Sequence, residues 1–164
     1  MAAVPEALLA YSCDKNFGLY RERTGALFAI VPDADAGTVV LSNLLALARA
    51  NWSMPPDHGG AAVRIVLRDG ELTKQWLDEL TQMRDRMRQV RNTLAKADVA
   101  GSVDLKPLGK QNGLFGMLPV TPEQVKQLRD DHAIYMAGSG RINIAGLHMG
   151  NIEKFIEAIA EVTA

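Results

Sequence analysis

The sequence predicts an α/β fold, and three observations indicate it. Two short apolar runs, residues 7–13 and 26–31, flank a polar loop that contains glycine and are typical of strands. From about Leu72 to Ala97, apolar residues recur at alternating spacings of three and four, which predicts one long amphipathic helix. Beyond Gly101, short apolar runs alternate again with helical patterns, which predicts a second, smaller α/β unit.

In the first half of the chain, each predicted element follows from its local pattern. The continuous apolar run at residues 7–11 is typical of a buried strand. A helix is expected over about 38–50, and another follows Pro56. The first of these helices carries the apolar residues Val39, Val40, Leu44, Leu45 and Leu47.

In the second half, the long helix is expected to bury one stripe of side chains. That stripe consists of Leu72, Trp76, Leu80, Met83, Met87, Val90 and Leu94. Strands are predicted near 113–118, 134–136 and 141–145. Thr121 and Gln124 form a capping box with proline at the first helical position. The final helix, about 150–162, is expected to bury Ile152, Phe155, Ile156 and Ile159.

Composition narrows the class of protein. The 164 residues are 48% hydrophobic and 23% charged with a net charge of -1, which favours an ordinary globular chain and argues against a nucleic-acid partner. No apolar run approaches the roughly twenty residues of a membrane span, and no signal peptide is recognised. The single cysteine fits a reducing cytoplasm, and the three histidines show no metal-ligand spacing. The arginine-rich run over 84–91 is expected to be a solvated helix face.

The most informative segment of the chain is the polar loop around Lys15. A lysine at the end of a buried strand can lie in a partly desolvated pocket, where its amine becomes a nucleophile near neutral pH. Arg23 follows eight residues later and could hold a phosphate bidentately. An aldehyde that carries a phosphate would satisfy both groups, and pyridoxal 5'-phosphate is such a molecule. The alternative is a surface lysine in a glycine-rich turn.

The run from Ser12 to Gly25 resembles the Schiff-base lysine signature of class I aminotransferases, in particular the aspartate and aromatic amino-acid enzymes. The resemblance implies that Lys15 carries pyridoxal 5'-phosphate and that Ser12 and Arg23 bind its phosphate. Asp14 departs from the small residue that is usual there, and Thr24 from an aliphatic one. Neighbours on a strand point to opposite faces, so Asp14 is expected to point away from the Lys15 pocket.

Three later segments are similar to the same family in the same order. Arg49 matches the arginine that pairs, in the partner subunit, with the distal carboxylate of a dicarboxylic substrate; an arginine favoured by the helix C-terminus would look the same. Arg141 matches the arginine that holds the substrate α-carboxylate, although a strand-edge arginine without function is the alternative. Phe115 matches a phenylalanine of the substrate pocket, and it could equally be plain core.

The resemblance implies the C-terminal part of a type I pyridoxal-phosphate transferase fold. Residues 1–82 would be the end of the large cofactor domain, at the edge of its sheet, and 83–164 the end of the connecting helix with the small α/β domain. The implied activity is transfer of an amino group between an aromatic or acidic L-amino acid and 2-oxoglutarate, in a cytoplasmic homodimer. The family's other cofactor contacts are expected to precede this chain. Two short strands alone are marginal in water. The alternative to an aminotransferase is therefore a truncated, non-catalytic fragment of such an enzyme or an interaction module of that fold.

Overall fold

The computed structural model describes residues 4–164 and divides into two compact units, Met1–Leu80 and Thr81–Ala164. The first unit consists of a hairpin followed by helices, and the boundary between the units falls within the third helix. Its elements are β1 (Ala7–Ser12), β2 (Gly25–Ile30), α1 (Ala34–Trp52), α2 (His58–Arg68) and the start of α3 (Gly70–Lys96).

The hairpin of the first unit confirms the two strands and corrects their predicted burial. β1 and β2 pair antiparallel from Ala7 opposite Ile30 to Ser12 opposite Gly25. The loop between them is closed by a bond from the Cys13 amide to the Thr24 carbonyl, 2.9 Å. No residue of either strand is buried, so the prediction of a buried strand is wrong. The reason is that, within residues 4–164, each of these strands has the other as its sole strand partner.

α1 is longer than predicted at both ends. The side chain of Asp33 accepts a hydrogen bond from the Ala36 amide, 2.8 Å, and this cap starts the helix before the apolar residues begin. The helix continues to Trp52 and is ended by Ser53, whose φ of 58° is left-handed. None of its residues is buried.

The start of α3 is attached to the loop between β1 and β2. Trp76 donates from Nε1 to the Asn16 carbonyl at 2.7 Å, and its ring stacks on Phe17 with centroids 4.4 Å apart. Of the predicted buried stripe, only Val90 and Leu94 are fully buried, and both lie in the second unit. The prediction of one continuous buried stripe is therefore wrong for the first half of the helix.

The second unit combines short strands with two further helices. β5 and β6 pair antiparallel, with Phe115 opposite Asn143 and Met117 opposite Arg141. In chain order, the elements after α3 are β3 (Val99–Ala100), β4 (Val103–Asp104), a 3-10 helix (Lys106–Lys110), β5 (Phe115–Met117), α4 (Pro122–His132), β6 (Arg141–Asn143), a 3-10 helix (Ile144–Gly146) and α5 (Ile152–Val162).

Two predictions in this unit have opposite outcomes. The capping box is confirmed, because the Thr121 hydroxyl accepts from the Gln124 amide, 3.2 Å, while Gln124 Oε1 accepts from the Thr121 amide, 2.9 Å. The strand predicted at 134–136 is wrong. Ala133 adopts a left-handed conformation, and the Ile134 amide bonds back to the Leu128 carbonyl, 3.0 Å, so this apolar segment closes α4.

The hydrophobic core lies in the second unit. Its buried side chains come from the end of α3, the short strands, α4 and α5. The largest fully buried ones are Leu94, Leu105, Leu108, Leu128, Ile144, Ile152 and Ile159, with Val90 and Val103. As predicted, α5 buries Ile152, Phe155 and Ile159, while Ile156 is half-buried.

Candidate functional site

Lys15 lies in a tight turn directly after β1. The turn is held by bonds from the Phe17 amide to the Cys13 carbonyl and from the Gly18 amide to the Lys15 carbonyl, each 3.2 Å. Gly18 has a φ of 68°, which a side chain would disfavour. Lys15 is exposed, with Nζ 5.6 Å from the centroid of the Tyr20 ring. Within residues 4–164 the Lys15 amine is therefore not in the predicted desolvated pocket, although the preceding Cys13 and Asp14 are buried.

Arg23 is paired with the residue that departs from the family pattern. Its Nη1 donates to Oδ2 of Asp14 and to the Tyr20 carbonyl, the latter at 2.8 Å. The Asp14 residue is 3% exposed, whereas the Arg23 side chain is 73% exposed. β1 ends at Ser12, so the strand alternation used to orient Asp14 does not extend to it. Nothing in the sequence signals this pair, since its members lie nine residues apart in an irregular loop.

Ser12 and Arg23 lie at opposite ends of the loop and both contact Asp14. The Ser12 hydroxyl accepts a bond from the Asp14 amide, 3.1 Å, and keeps its own O–H as a donor. Within residues 4–164, Arg23 donates through Nη1, which leaves Nε and Nη2 for another anion. A hydroxyl donor, a guanidinium and a nearby exposed amine suit an aldehyde that carries a phosphate. One buried oxygen, Oδ1 of Asp14, has no partner among these residues.

Arg49 is exposed in the last turn of α1. Its backbone carbonyl accepts from the Ser53 amide, 2.9 Å, at the end of the helix. A cation at this position interacts favourably with the helix dipole. The position therefore agrees with the alternative interpretation, in which the arginine is favoured by the helix C-terminus. It also leaves the guanidinium accessible.

In the second unit, Arg141 and Phe115 form one feature. The guanidinium carbon of Arg141, on β6, lies 4.8 Å from the centroid of the Phe115 ring, on β5. Both residues are exposed, so Phe115 is not plain core. The approach of Gly140 to Leu118 leaves no room for a side chain, and the Leu118 amide bonds to the Gly140 carbonyl, 2.9 Å, where β6 begins. The arginine thus lies on a strand whose first residue follows this backbone contact.

A buried arginine that was not predicted from the sequence supports this strand pair. Arg91 is 3% exposed and donates to the carbonyls of Leu108, Gly113 and Phe115 at 2.8–3.0 Å. Burial lowers the pKa of the Arg91 guanidinium. The expectation that the arginine run is a solvated face is wrong at this position. Arg86 is also engaged, donating to the carbonyls of Ala145 and Leu147 at 2.7 and 2.9 Å.

The predicted site residues thus fall into two groups. The first unit contains Ser12 at the end of β1, Lys15 and Arg23 in the loop that follows, and Arg49 in α1. Arg141 and Phe115 belong to the second unit. Among residues 4–164, no three metal-ligating side chains lie close enough to hold an ion. In the same part of the chain, every helix is too short or too polar to cross a membrane.

Comparison with known proteins defines the class. The profile of the family "Aminotransferase class I and II" matches residues 1–159, so the chain belongs to this family. It is 50% identical over 147 residues to a tyrosine aminotransferase of Rhizobium meliloti (strain 1021), covering 90% of this chain and 38% of that protein. It is 38% identical to an aspartate aminotransferase of Haemophilus influenzae, covering 96% of this chain and 40% of that one.

A solved structure shows the same fold. The aromatic-amino-acid aminotransferase of Burkholderia pseudomallei, covalently bound to pyridoxal phosphate, superposes with a TM-score of 0.84 at 40% identity, covering 97% of this chain and 40% of that one. The chain has the fold of the corresponding part of a type I aminotransferase. It spans about two fifths of the length of the relatives it matches.

Proposed function

We propose that the whole protein to which this chain corresponds is a pyridoxal-phosphate-dependent aminotransferase. It moves an amino group between an aromatic or acidic L-amino acid and 2-oxoglutarate. One observation carries the proposal: the loop after β1 presents the exposed amine of Lys15 with Ser12 at one end and Arg23 at the other. The names of the relatives, which include tyrosine and aspartate aminotransferases, support it.

In this proposal, the first unit holds the cofactor. The Ser12 hydroxyl and the free edge of Arg23 bind the phosphate, since a hydroxyl and a guanidinium both donate to phosphate oxygens. Lys15 anchors the aldehyde through its amine and then moves a proton at the substrate α-carbon. When bound, pyridoxal phosphate supplies an electron sink that stabilises the carbanion. Residues 1–82 would be the end of the large cofactor domain.

The remaining arginines recognise the substrate. Arg141 would hold the α-carboxylate, which all amino acids and 2-oxo acids carry, and Phe115 would contact the substrate beside it. Arg49 would hold the distal carboxylate of a dicarboxylic substrate bound to the partner subunit of a homodimer. Its exposure at the end of α1 supports this role, since the guanidinium is not engaged by the core. Residues 83–164 would be the end of the connecting helix and the small domain, and the protein would be cytoplasmic.

A second candidate is that the 164-residue chain alone is a non-catalytic segment of such an enzyme. Two observations favour it. Neither strand flanking the Lys15 loop has a buried residue, and the chain covers about two fifths of its relatives. Catalysis of this kind needs an active site that excludes water and aligns the reacting atoms.

Covalent trapping tests the cofactor site. The chain is incubated with pyridoxal phosphate, reduced with borohydride and mapped by peptide mass spectrometry. We expect the label on Lys15, because it alone has phosphate donors at both ends of its loop. Lys74, which is also exposed and belongs to the same unit, is the internal control. Labelling of Lys74 or Lys110 with Lys15 unmodified would contradict the assignment.

A further inference from the structure

The loop that carries Lys15 also buries an acid against the phosphate-binding arginine. Asp14 is 3% exposed, and its Oδ2 accepts from Nη1 of Arg23. Its second oxygen, Oδ1, is buried without a hydrogen-bond partner among residues 4–164. A buried carboxylate is costly unless a cation compensates it. Arg23 is the compensating cation of Asp14.

This pairing limits what Arg23 can offer to a phosphate. Nη1 is engaged by Asp14 and by the Tyr20 carbonyl, so Nε and Nη2 remain. If Arg23 turned to offer Nη1 to a phosphate, both Asp14 oxygens would be left buried and unpaired. If Arg23 stays, the phosphate approaches a pair whose charges already cancel, with a carboxylate of like charge behind the guanidinium. Either route weakens the attraction.

We propose that Asp14 is a specificity-determining residue that lowers the preference of this site for a phosphorylated aldehyde over an unphosphorylated one. The inference rests on the proposed function, in which Arg23 binds the cofactor phosphate. It concerns one property, the selectivity that the phosphate confers on the reaction of Lys15. A purely orienting role for Asp14 makes the opposite prediction, because removing a residue that aims Arg23 would reduce that selectivity.

The test compares pyridoxal phosphate with pyridoxal at one lysine. The amine of Lys15 condenses with the aldehyde with loss of water, and borohydride reduces the C=N bond to a secondary amine. The fraction of labelled Lys15 peptide is measured against the concentration of each aldehyde. The ratio of the two half-saturating concentrations, pyridoxal over pyridoxal phosphate, reports phosphate recognition. Comparing this ratio between variants cancels differences in intrinsic reactivity of the two aldehydes.

We expect the ratio to rise at least tenfold in Asp14→Asn, which removes the charge at nearly constant shape, and in Asp14→Ala. Asp35→Asn, an exposed acid of α1 that lies away from the loop, is the matched control and should leave the ratio unchanged. In an Arg23→Ala background, Asp14→Asn should change the ratio by less than twofold, because the acid acts through Arg23. Circular dichroism confirms that each variant folds.

Two outcomes would overturn the inference: an unchanged or lower ratio in both Asp14 variants, or a tenfold rise that persists without Arg23. The measurement does not require Lys15 to be the preferred lysine. Any exposed amine condenses with these aldehydes, and the ratio is read from Lys15 alone. The choice of lysine tests the proposed function, whereas the change in ratio tests the role of Asp14, so the two can fail separately.

Discussion

Arg141 and Arg49 differ in their surroundings, and the difference bears on which part of a substrate each can hold. Arg141 lies on a short strand, 4.8 Å from the Phe115 ring, so its direction is restricted. Arg49 lies in the last turn of a helix that buries none of its residues. A restricted arginine suits a group common to all substrates, and an accessible one suits a group that only some substrates carry.

Substitution of these arginines in the complete enzyme should separate their roles. Arg141→Ala should lower kcat/KM for every substrate. Arg49→Ala should lower kcat/KM for dicarboxylic substrates far more than for aromatic ones. Loss of a buried charge-assisted pair costs about 2–5 kcal/mol, so the affected kcat/KM should fall at least tenfold. Steady-state kinetics with aspartate and phenylalanine measure both effects.

A matched control is available on the neighbouring helix. Arg68 is exposed in the last turn of α2, as Arg49 is in that of α1, so Arg68→Ala reproduces the loss of a C-terminal cation. Its kinetics should match those of the unmodified enzyme. Equal losses with aspartate and phenylalanine in Arg49→Ala would refute the division of roles.

Among the elements, α3 shows how one buried charge organises a strand pair. Arg91 reaches from the helix to three carbonyls between Leu108 and Phe115. These bonds are charge-assisted and lie against the core, where a carbonyl without a partner is costly. The segment leading into β5 is thus held by a side chain of a distant element, since it has no regular structure between the 3-10 helix and Phe115.

Replacement of this arginine should destabilise the second unit. Arg91→Met keeps the length and much of the volume but removes the donors, and we expect it to lower the free energy of unfolding by about 2–4 kcal/mol. Arg88→Met, an exposed arginine of the same helix, should change it by less than about 0.5 kcal/mol. Urea denaturation followed by circular dichroism gives both values. Equal effects of the two substitutions would contradict the role of the buried bonds.

The same helix shows where sequence patterns succeed and where they stop. Its existence and its length follow from spacing, because apolar side chains recur on one face whatever they pack against. Spacing does not determine which of its apolar side chains are buried, because burial depends on tertiary partners. Leu72 and Met83, for example, are exposed. The burial of Arg91 was missed because the neighbouring residues, which are also charged, do not distinguish a buried arginine from an exposed one. The Asp14–Arg23 pair was missed because its members lie nine residues apart in an irregular loop. Ser12, Lys15 and Arg23 remain predicted site residues, which rest on the family resemblance of their segment.

At the scale of the whole molecule, apolar surface is distributed unevenly between the units. The second unit contains the hydrophobic core cluster, whereas the first leaves Leu8, Leu9, Leu27 and Phe28 exposed on its hairpin. A two-stranded hairpin without a covered face is marginal in water. An exposed apolar area of this kind favours association with other apolar surfaces.

Hydrogen exchange should reveal this asymmetry. In the 164-residue chain, amides of β1 and β2 should exchange fast, because their local opening costs little free energy. Amides of α5, which packs its buried side chains into the core, should be the slowest. Mass spectrometry of peptic peptides measures both in one experiment. Protection of the hairpin equal to that of α5 would show that the stable part of the molecule extends beyond the second unit.

Catalysis by the isolated chain should be correspondingly weak. Lys15 is exposed, and no residue of the flanking strands is buried, so water would reach the reacting atoms. We expect transamination of aspartate or phenylalanine with 2-oxoglutarate well below about 1 per second, the lower end of ordinary enzyme rates. A coupled assay on monodisperse protein measures it. Turnover at ordinary rates would show that the 164 residues suffice.

The contact of Trp76 with the lysine loop has an optical consequence. Its indole stacks on Phe17, two residues beyond Lys15, and bonds to the Asn16 carbonyl, so it contacts the loop that carries Lys15. An attached pyridoxal group absorbs where tryptophan emits, and energy transfer should quench Trp76 as Lys15 is loaded. Trp52, which is 65% exposed, can be replaced by phenylalanine to remove its background. In Trp52→Phe the fluorescence of Trp76 then measures attachment of the pyridoxal group to Lys15. Quenching that persists when Lys15→Ala is added would show that the signal does not depend on attachment at Lys15.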